Sequence, residues 1–337
     1  MRTRTKTKWM AIGSPLALLA LWATAFILVV PAHSYLPMGT GSGATFTDST
    51  WAQPPAWVIN PTVSGANIAG TPADVTNIMQ SSFATWMGAP DTHVVATFAG
   101  TSTATGPQIN ENLVCFTCGG VDFSQDGTLA ITLTSFDGSG NITNANILFN
   151  PNASTGAVSG QPICFTTGDT NSTCPTSGSV QEDLRTVATH EIGHFFGLDH
   201  SAIVDAIMFP FAPPFLQTLS YDDVAAISLL YPDPNPAVPT GSISGKVTLN
   251  NTGVFGAHVF ADSTTASNPF SGFALIRKTP ISALTFPDGS YLITGLPPDT
   301  YVVTAEPLDG PVNDPNVSWA LEWGQPAVQT NFTTRWH

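Results

Sequence analysis

Residues 190–200 read His-Glu-Ile-Gly-His-Phe-Phe-Gly-Leu-Asp-His, and no other stretch constrains this chain as tightly. On an α-helix, positions i and i+4 share a face, so His190 and His194 can aim two ring nitrogens at one ion. Glu191 follows the first of them and can reach a water on that ion. Gly197 lets the chain leave the helix in a left-handed conformation that other residues resist. The turned chain can then bring His200 back as a third ligand. Three protein ligands leave one tetrahedral position open, which separates a catalytic Zn²⁺ site from a closed structural one.

The flanks fit a helix. Ser179-Val-Gln-Glu182 has the form of a capping box, with Ser179 as N-cap and Glu182 as its partner. Leu184, Val187, Ala188 and Ile192 recur at helical spacing. Thr71-Pro-Ala-Asp74 predicts a second helix start, with Thr71 as N-cap and Pro72 in the first turn. Val75, Ile78, Met79, Phe83 and Trp86 then form an apolar face that reads as core. Ala56–Ile59 and His93–Phe98 predict strands. Gly127–Phe136 and Ile142–Phe149 predict two more, joined by an Asp-Gly-Ser-Gly-Asn turn. The order of strands and helices is that of an α+β domain.

His-Glu-x-x-His-x-x-Gly-x-x-His followed by a methionine turn resembles the metzincin signature. The likeness is to the matrixins, the matrix-metalloproteinase group. Ser201 follows the third ligand as in that family. Ala206-Ile-Met-Phe-Pro210 resembles its Met-turn, and Leu219–Tyr231 its final helix. The matching blocks run from about 184 to 231, with weaker likeness back to residue 51. The resemblance implies a zinc endopeptidase domain over 51–232: a twisted mixed sheet, the active-site helix and two further helices. Zn²⁺ on His190, His194 and His200 would acidify a water, with Glu191 as general base. Met208 would form an apolar floor beneath the histidines. Phe209, Pro210 and Phe211 would line one side of the S1′ pocket and favour an apolar or aromatic residue there. Gly127–Ile131 would fall where matrixins place a substrate-binding edge strand, with Leu129 and Ala130 offering backbone contacts; the alternative is an ordinary edge or core strand. Two departures stand out. The histidines at 33, 93, 258 and 337 do not cluster to replace the second, structural zinc of animal matrixins. Nor does a silencing propeptide with a zinc-binding cysteine fit between the leader and residue 51.

Arg2, Arg4, Lys6 and Lys8 precede an uncharged apolar stretch, Trp9–Val30, and Ala32-His-Ser34 resembles a processing site. Residues 1–34 therefore read as a signal peptide, or alternatively as a membrane anchor that leaves the rest outside. Beyond them five cationic residues face 23 acidic ones, which argues against a nucleic-acid partner. In an exported chain the four cysteines predict disulfides, with local pairing of Cys115 with Cys118 and Cys164 with Cys174 as the first expectation among three connectivities. Asp137, Ser139 and Asn141 have the alternate spacing of a weak Ca²⁺ loop, although a plain turn explains them as well.

The Gly-, Ser- and Thr-rich residues 35–50 read as a linker, and proline-rich residues 233–240 as a domain boundary. Strands expected at Ser242–Leu249, Ala257–Ala261, Ser290–Ile293 and Tyr301–Ala305 suggest a small all-β sandwich over 241–307. Asp288–Thr304 resembles the carboxypeptidase regulatory-like (transthyretin-like) domain, an accessory module. Residues 308–337 are left unassigned, as a tail or an incomplete domain. The functional expectation is an extracellular zinc endopeptidase acting on protein or peptide substrates. Its competitors are a catalytically silent surface adhesion protein with a metzincin-like fold, and a zinc hydrolase of a non-peptide bond.

Overall fold

The computed structural model describes residues 36–43, 46–123, 127–153, 160–168, 173–212, 215–265, 268–270, 272–273 and 276–336. The leader expected at 1–34, His33 and His337 lie outside these residues. Among the described residues no helix is long and apolar enough to cross a membrane.

A five-stranded mixed sheet forms the frame. Its strands are β1 (Ala56–Asn60), β2 (Thr97–Thr101), β3 (Asn112–Cys115), β4 (Ala130–Phe136) and β5 (Ile142–Phe149), in the order β2-β1-β3-β5-β4. All neighbours run parallel except β4, which pairs antiparallel with β5 and forms one edge. Two helices pack against one another over the same core: α1 (Pro72–Met87) and α2 (Leu184–Phe195). Trp57 of β1 stacks on Phe83 of α1 at 4.4 Å, and Phe83 meets Phe195 of α2 edge-on at 5.1 Å. The Trp86 indole donates to the Thr189 carbonyl at 2.7 Å, tying α1 to the turn of α2 that carries His190. α1 begins as the sequence implies, with Thr71 and Asp74 as a reciprocal capping box and Pro72 in the first turn.

The start of α2 differs from the expectation. Val180–Asp183 is a strand, β7, parallel to β6 (Ile163–Thr166), which also pairs with Ile68–Ala69. Ser179 is therefore not the cap; its hydroxyl donates to the Thr176 carbonyl and accepts from Asn67. Asp183 caps α2 instead, accepting the Thr186 N–H at 2.9 Å. Strand pairing with β6 wins over the local capping pattern, and Asp183 supplies an equally good cap four residues on. The strand expected at His93–Phe98 also moves, to β2. His93 is held instead by residues 231 and 232, its N–H on the Tyr231 carbonyl at 3.0 Å and its Nδ1 2.6 Å from the Pro232 carbonyl. Both disulfides, Cys115–Cys118 and Cys164–Cys174, are formed.

Residues 36–43 and 46–50 carry linker-like composition but pack against the body. Gly39–Thr40 and Thr47–Asp48 form a two-stranded ribbon. The Met38 N–H donates to the Gly197 carbonyl and the Asp199 N–H to the Leu36 carbonyl, both at 2.7 Å.

The last helix of this region, α3 (Tyr221–Leu230), is capped by Ser220 and Asp223. Beyond it lie β8 (Gly241–Lys246), β9 (His258–Ser263), β10 (Ile281–Leu284), β11 (Ser290–Leu296) and β12 (Tyr301–Glu306), then two short helices, α4 (Asp314–Val317) and α5 (Trp319–Glu322), and β13 (Arg335–Trp336). β8 pairs with β11, and β10-β9-β12-β13 form a four-stranded antiparallel sheet. β8, β9, β11 and β12 lie within a few residues of the strands their sequence pattern predicts; β10, β13 and the two helices carry no such pattern. β10 is a buried run without alternation, Ile-Ser-Ala-Leu, so its pattern carries little strand signal.

These strands share a core with the helices. Val259, Ala261, Ile281, Ala283 and Ile293 belong to the same buried cluster as Val224, Ala225 and Ile227 of α3. Gly295, at φ +71°, lies so close to Ala225 that a Cβ there would meet the Ala225 Cβ at 2.6 Å. The Tyr221 N–H donates to the Arg277 carbonyl at 3.0 Å, and the Arg277 N–H to the Leu219 carbonyl at 2.9 Å. The proline-rich joint is itself pinned: Asp91 accepts the Asp233 N–H on its carbonyl and the Val238 N–H on its carboxylate, both at 3.0 Å.

Candidate active site

α2 ends in a Schellman turn. The Leu198 N–H reaches back to the Gly193 carbonyl and the Gly197 N–H to the His194 carbonyl, both at 3.0 Å. Gly197 sits at φ +100°, as the motif requires, and a Cβ on it would lie 2.1 Å from the Ser49 carbonyl oxygen. The turn delivers His200 to the face that carries His190 and His194. Ligand nitrogens of the three rings all lie within 4.8 Å of one another, and His190 Nε2 is 3.1 Å from His194 Nε2. Among the described residues no other group of three or more His, Cys, Asp or Glu converges in this way.

The second nitrogen of each ring has a carbonyl partner. His190 Nδ1 is 2.8 Å from the Ile207 oxygen, His194 Nδ1 2.7 Å from Leu198 and His200 Nδ1 2.7 Å from Asn316. A carbonyl only accepts, so each Nδ1 carries the proton and each Nε2 presents a lone pair. Burial, then the neighbouring imidazoles, push His190 down to about 3 and His194 well below its usual range. Both are neutral at physiological pH, so protons do not compete for the lone pairs. Two lone pairs 3.1 Å apart repel unless a cation lies between them; tetrahedral zinc with Zn–N of about 2.0–2.1 Å would set ligand nitrogens at a comparable spacing. The donor set fits zinc.

Glu191 is buried. Its Oε2 accepts the Thr132 hydroxyl at 2.6 Å, from the edge strand β4. Burial raises its carboxyl to about 7, against the lowering effect of the Thr132 bond. Thr132 carries no motif of its own in the sequence, although strand alternation puts it on the same face as Ala130. Met208 lies under α2, its sulfur in the space a Gly193 Cβ would occupy. The Met-turn is held by buried Asp223, which accepts the Ile207 and Met208 N–H groups at 2.9 and 3.2 Å.

The expected substrate contacts divide. The Leu129 carbonyl accepts the Asn150 N–H at 2.9 Å, so the antiparallel alternation turns the backbone groups of Ala130, not Leu129, to the open edge. Phe209 is buried in a cluster with Leu36, Phe286 and Trp319. Pro210 is half-buried, and Phe211 is exposed, its ring 5.8 Å from that of Phe209. Asp137 is taken up within its own turn, accepting the N–H groups of Ser139 and Asn141 and the Asn141 side-chain amide. This is the plain-turn alternative, with the amide nitrogen of Asn141 facing the carboxylate.

Beside His200 lies an acidic group. Burial, then Asp199, Asp48 and Asp314, push the Glu322 carboxyl up to about 9. The folded protein thus keeps a proton that the unfolded chain releases near its ordinary value of 4.5. The contribution to stability is fully present below that value and is lost as pH rises through about 9. Glu322→Gln, which mimics the protonated acid, is expected to raise the melting temperature by a few degrees at pH 8 and hardly at all at pH 4. Equal effects at both pH values in a thermal melt would contradict the assignment.

Comparison with known proteins agrees with this geometry. Metalloendoproteinase 1-MMP of Arabidopsis thaliana is 44% identical over 70 residues, covering 20% of this chain and 19% of that protein. Interstitial collagenase A of Mus musculus is 37% identical over 93 residues, 25% and 20% of the two chains. Karilysin of Tannerella forsythia is 38% identical over 66 residues, 20% and 14%. The chain thus covers about a fifth of the length of the first of these relatives. The profile of the Matrixin family matches residues 30–232, more than half of the chain, and includes the three histidines, Glu191, Met208 and α3. The chain belongs to the matrixin family.

Proposed function

We propose that this protein is an exported zinc-dependent endopeptidase. The observation that carries the reading is the convergence of three imidazole nitrogens beside a buried carboxylate. When bound, zinc supplies Lewis acidity, acidifying water and stabilising negative charge on a carbonyl oxygen. The Ile207, Leu198 and Asn316 carbonyls fix the tautomer and orientation of the three ligands. Glu191, held by Thr132 and titrating near 7, takes a proton from the attacking water and returns it to the leaving amine. An extended peptide adds to the free edge of β4 through the backbone of Ala130 and Thr132. Phe211 offers it an apolar surface, backed by Phe209 and Pro210.

Export is supported by the basic-apolar leader and by two disulfides. The antiparallel strand pairings beyond residue 241 support the regulatory-like sandwich that this part of the sequence resembles. The test is metal content and cleavage of casein or gelatin, with and without a chelator. One zinc per chain, and cleavage that stops on chelation and returns with Zn²⁺, is the expected result. Stoichiometric zinc with no cleavage across a protein library would favour the adhesion reading.

A further inference from the structure

Two of the three ligands receive their carbonyl partners from within the region that matches the family, from Ile207 and Leu198. The partner of the third, His200, is 116 positions downstream and beyond that region. His200 needs such a partner more than the others do. It follows the end of α2, so no helical hydrogen bond sets its backbone, and its own N–H is taken by the Asp199 carboxylate at 2.7 Å.

We propose that Asn316 is a positioning residue for the third metal ligand, making residues 308–323 a working part of the metal centre. The inference rests on the zinc reading above. The Asn316 carbonyl is held in place from several sides. The Asn316 N–H donates to the Asn313 carbonyl, and its side-chain oxygen accepts the Asn313 N–H, both at 2.9 Å. Ser318 turns the chain at φ +56° and donates its N–H to the Asp314 carbonyl at 2.7 Å. Next to it, Trp319 is buried, its indole donating to the Thr285 carbonyl at 3.0 Å. The carbonyl is thereby fixed to the sheet that carries β10 before any ion arrives.

Two further links tie the same downstream region to the loop after His200. Asp222 accepts the Ser201 hydroxyl at 2.6 Å on one oxygen and the Ser282 N–H of β10 at 2.8 Å on the other. Phe209 is packed among Leu284, Phe286 and Trp319. Residues 200, 201 and 209 are thus all braced from beyond residue 280.

The test is made on the full chain, with zinc affinity by chelator competition and the visible spectrum of the Co²⁺-substituted protein as readouts. Asn316→Gly frees the carbonyl and is expected to weaken zinc binding tenfold or more, within the range known for outer partners of metal ligands, and to shift the cobalt bands. Asn316→Asp keeps an oxygen for the Asn313 N–H and should restore both. A second variant replaces Val317 by the corresponding α-hydroxy acid, so that the Asn316 carbonyl becomes an ester carbonyl, a weaker acceptor, with every side chain unchanged. It should weaken zinc binding in the same direction, and it decides the matter if Asn316→Gly fails to fold. Wild-type zinc affinity and cobalt spectrum in the ester variant overturn the proposal. A wild-type protein that binds no zinc overturns the endopeptidase reading itself.

Discussion

Replacing Glu191 by alanine is expected to lower kcat/KM for a peptide substrate by about 10³-fold or more, while the protein still binds zinc. None of the carbonyls that orient the three histidines belongs to Glu191, so the ligand set survives the change. What disappears is the carboxylate held against Thr132 of the edge strand β4. Its position, buried and raised to about 7, suits a group that must both accept and return a proton near neutral pH. Glu191→Gln separates charge from shape: the amide oxygen can keep the Thr132 bond but cannot take the proton. Both variants should be nearly inactive, with zinc content and melting curve close to wild type. Turnover at the wild-type rate in either would rule out the proton-transfer role.

Gly197→Ala is expected to damage the protein through geometry. The residue has φ +100°, and its Cβ would fall 2.1 Å from the Ser49 oxygen. A backbone atom cannot swing aside as a side chain can, so either the segment that carries Ser49 lifts off or the Schellman turn unwinds. The turn holds the Leu198 carbonyl under His194 and carries the chain to His200. A loss of roughly 2–4 kcal/mol is expected, combining left-handed strain with the overlap. That corresponds to a melting temperature lower by roughly 5 °C or more, with weaker zinc binding measured by chelator competition. A wild-type melting temperature would show that this segment yields without cost.

The convergence of His190, His194 and His200 was legible because it depends on helix periodicity and one glycine, all within eleven residues. The cap of α1 and the two short-range disulfides are local in the same sense. Where a long-range pairing competed, the local reading failed. Ser179 had a capping pattern, but β6 drew Val180–Asp183 into a sheet. His93 had strand alternation, but Pro232 and Tyr231 took it. Thr132 was within reach, since β4 was anticipated and only its facing partner was unknown. Asn316 was not, because nothing in its own neighbourhood refers to a histidine 116 positions earlier. The partition of the chain was likewise obscured: proline and glycine mark where strands and helices stop, not whether the parts on either side share a core.

That shared core changes what the proline-rich joint does. With Asp91 clamped to residues 233 and 238, and α3 wedged against Gly295 and Ser282, residues 232–240 are a strap across one solid body and cannot serve as a hinge. The described residues beyond 241, which reach His200 through the Asn316 carbonyl, therefore belong to the same body as the metal centre.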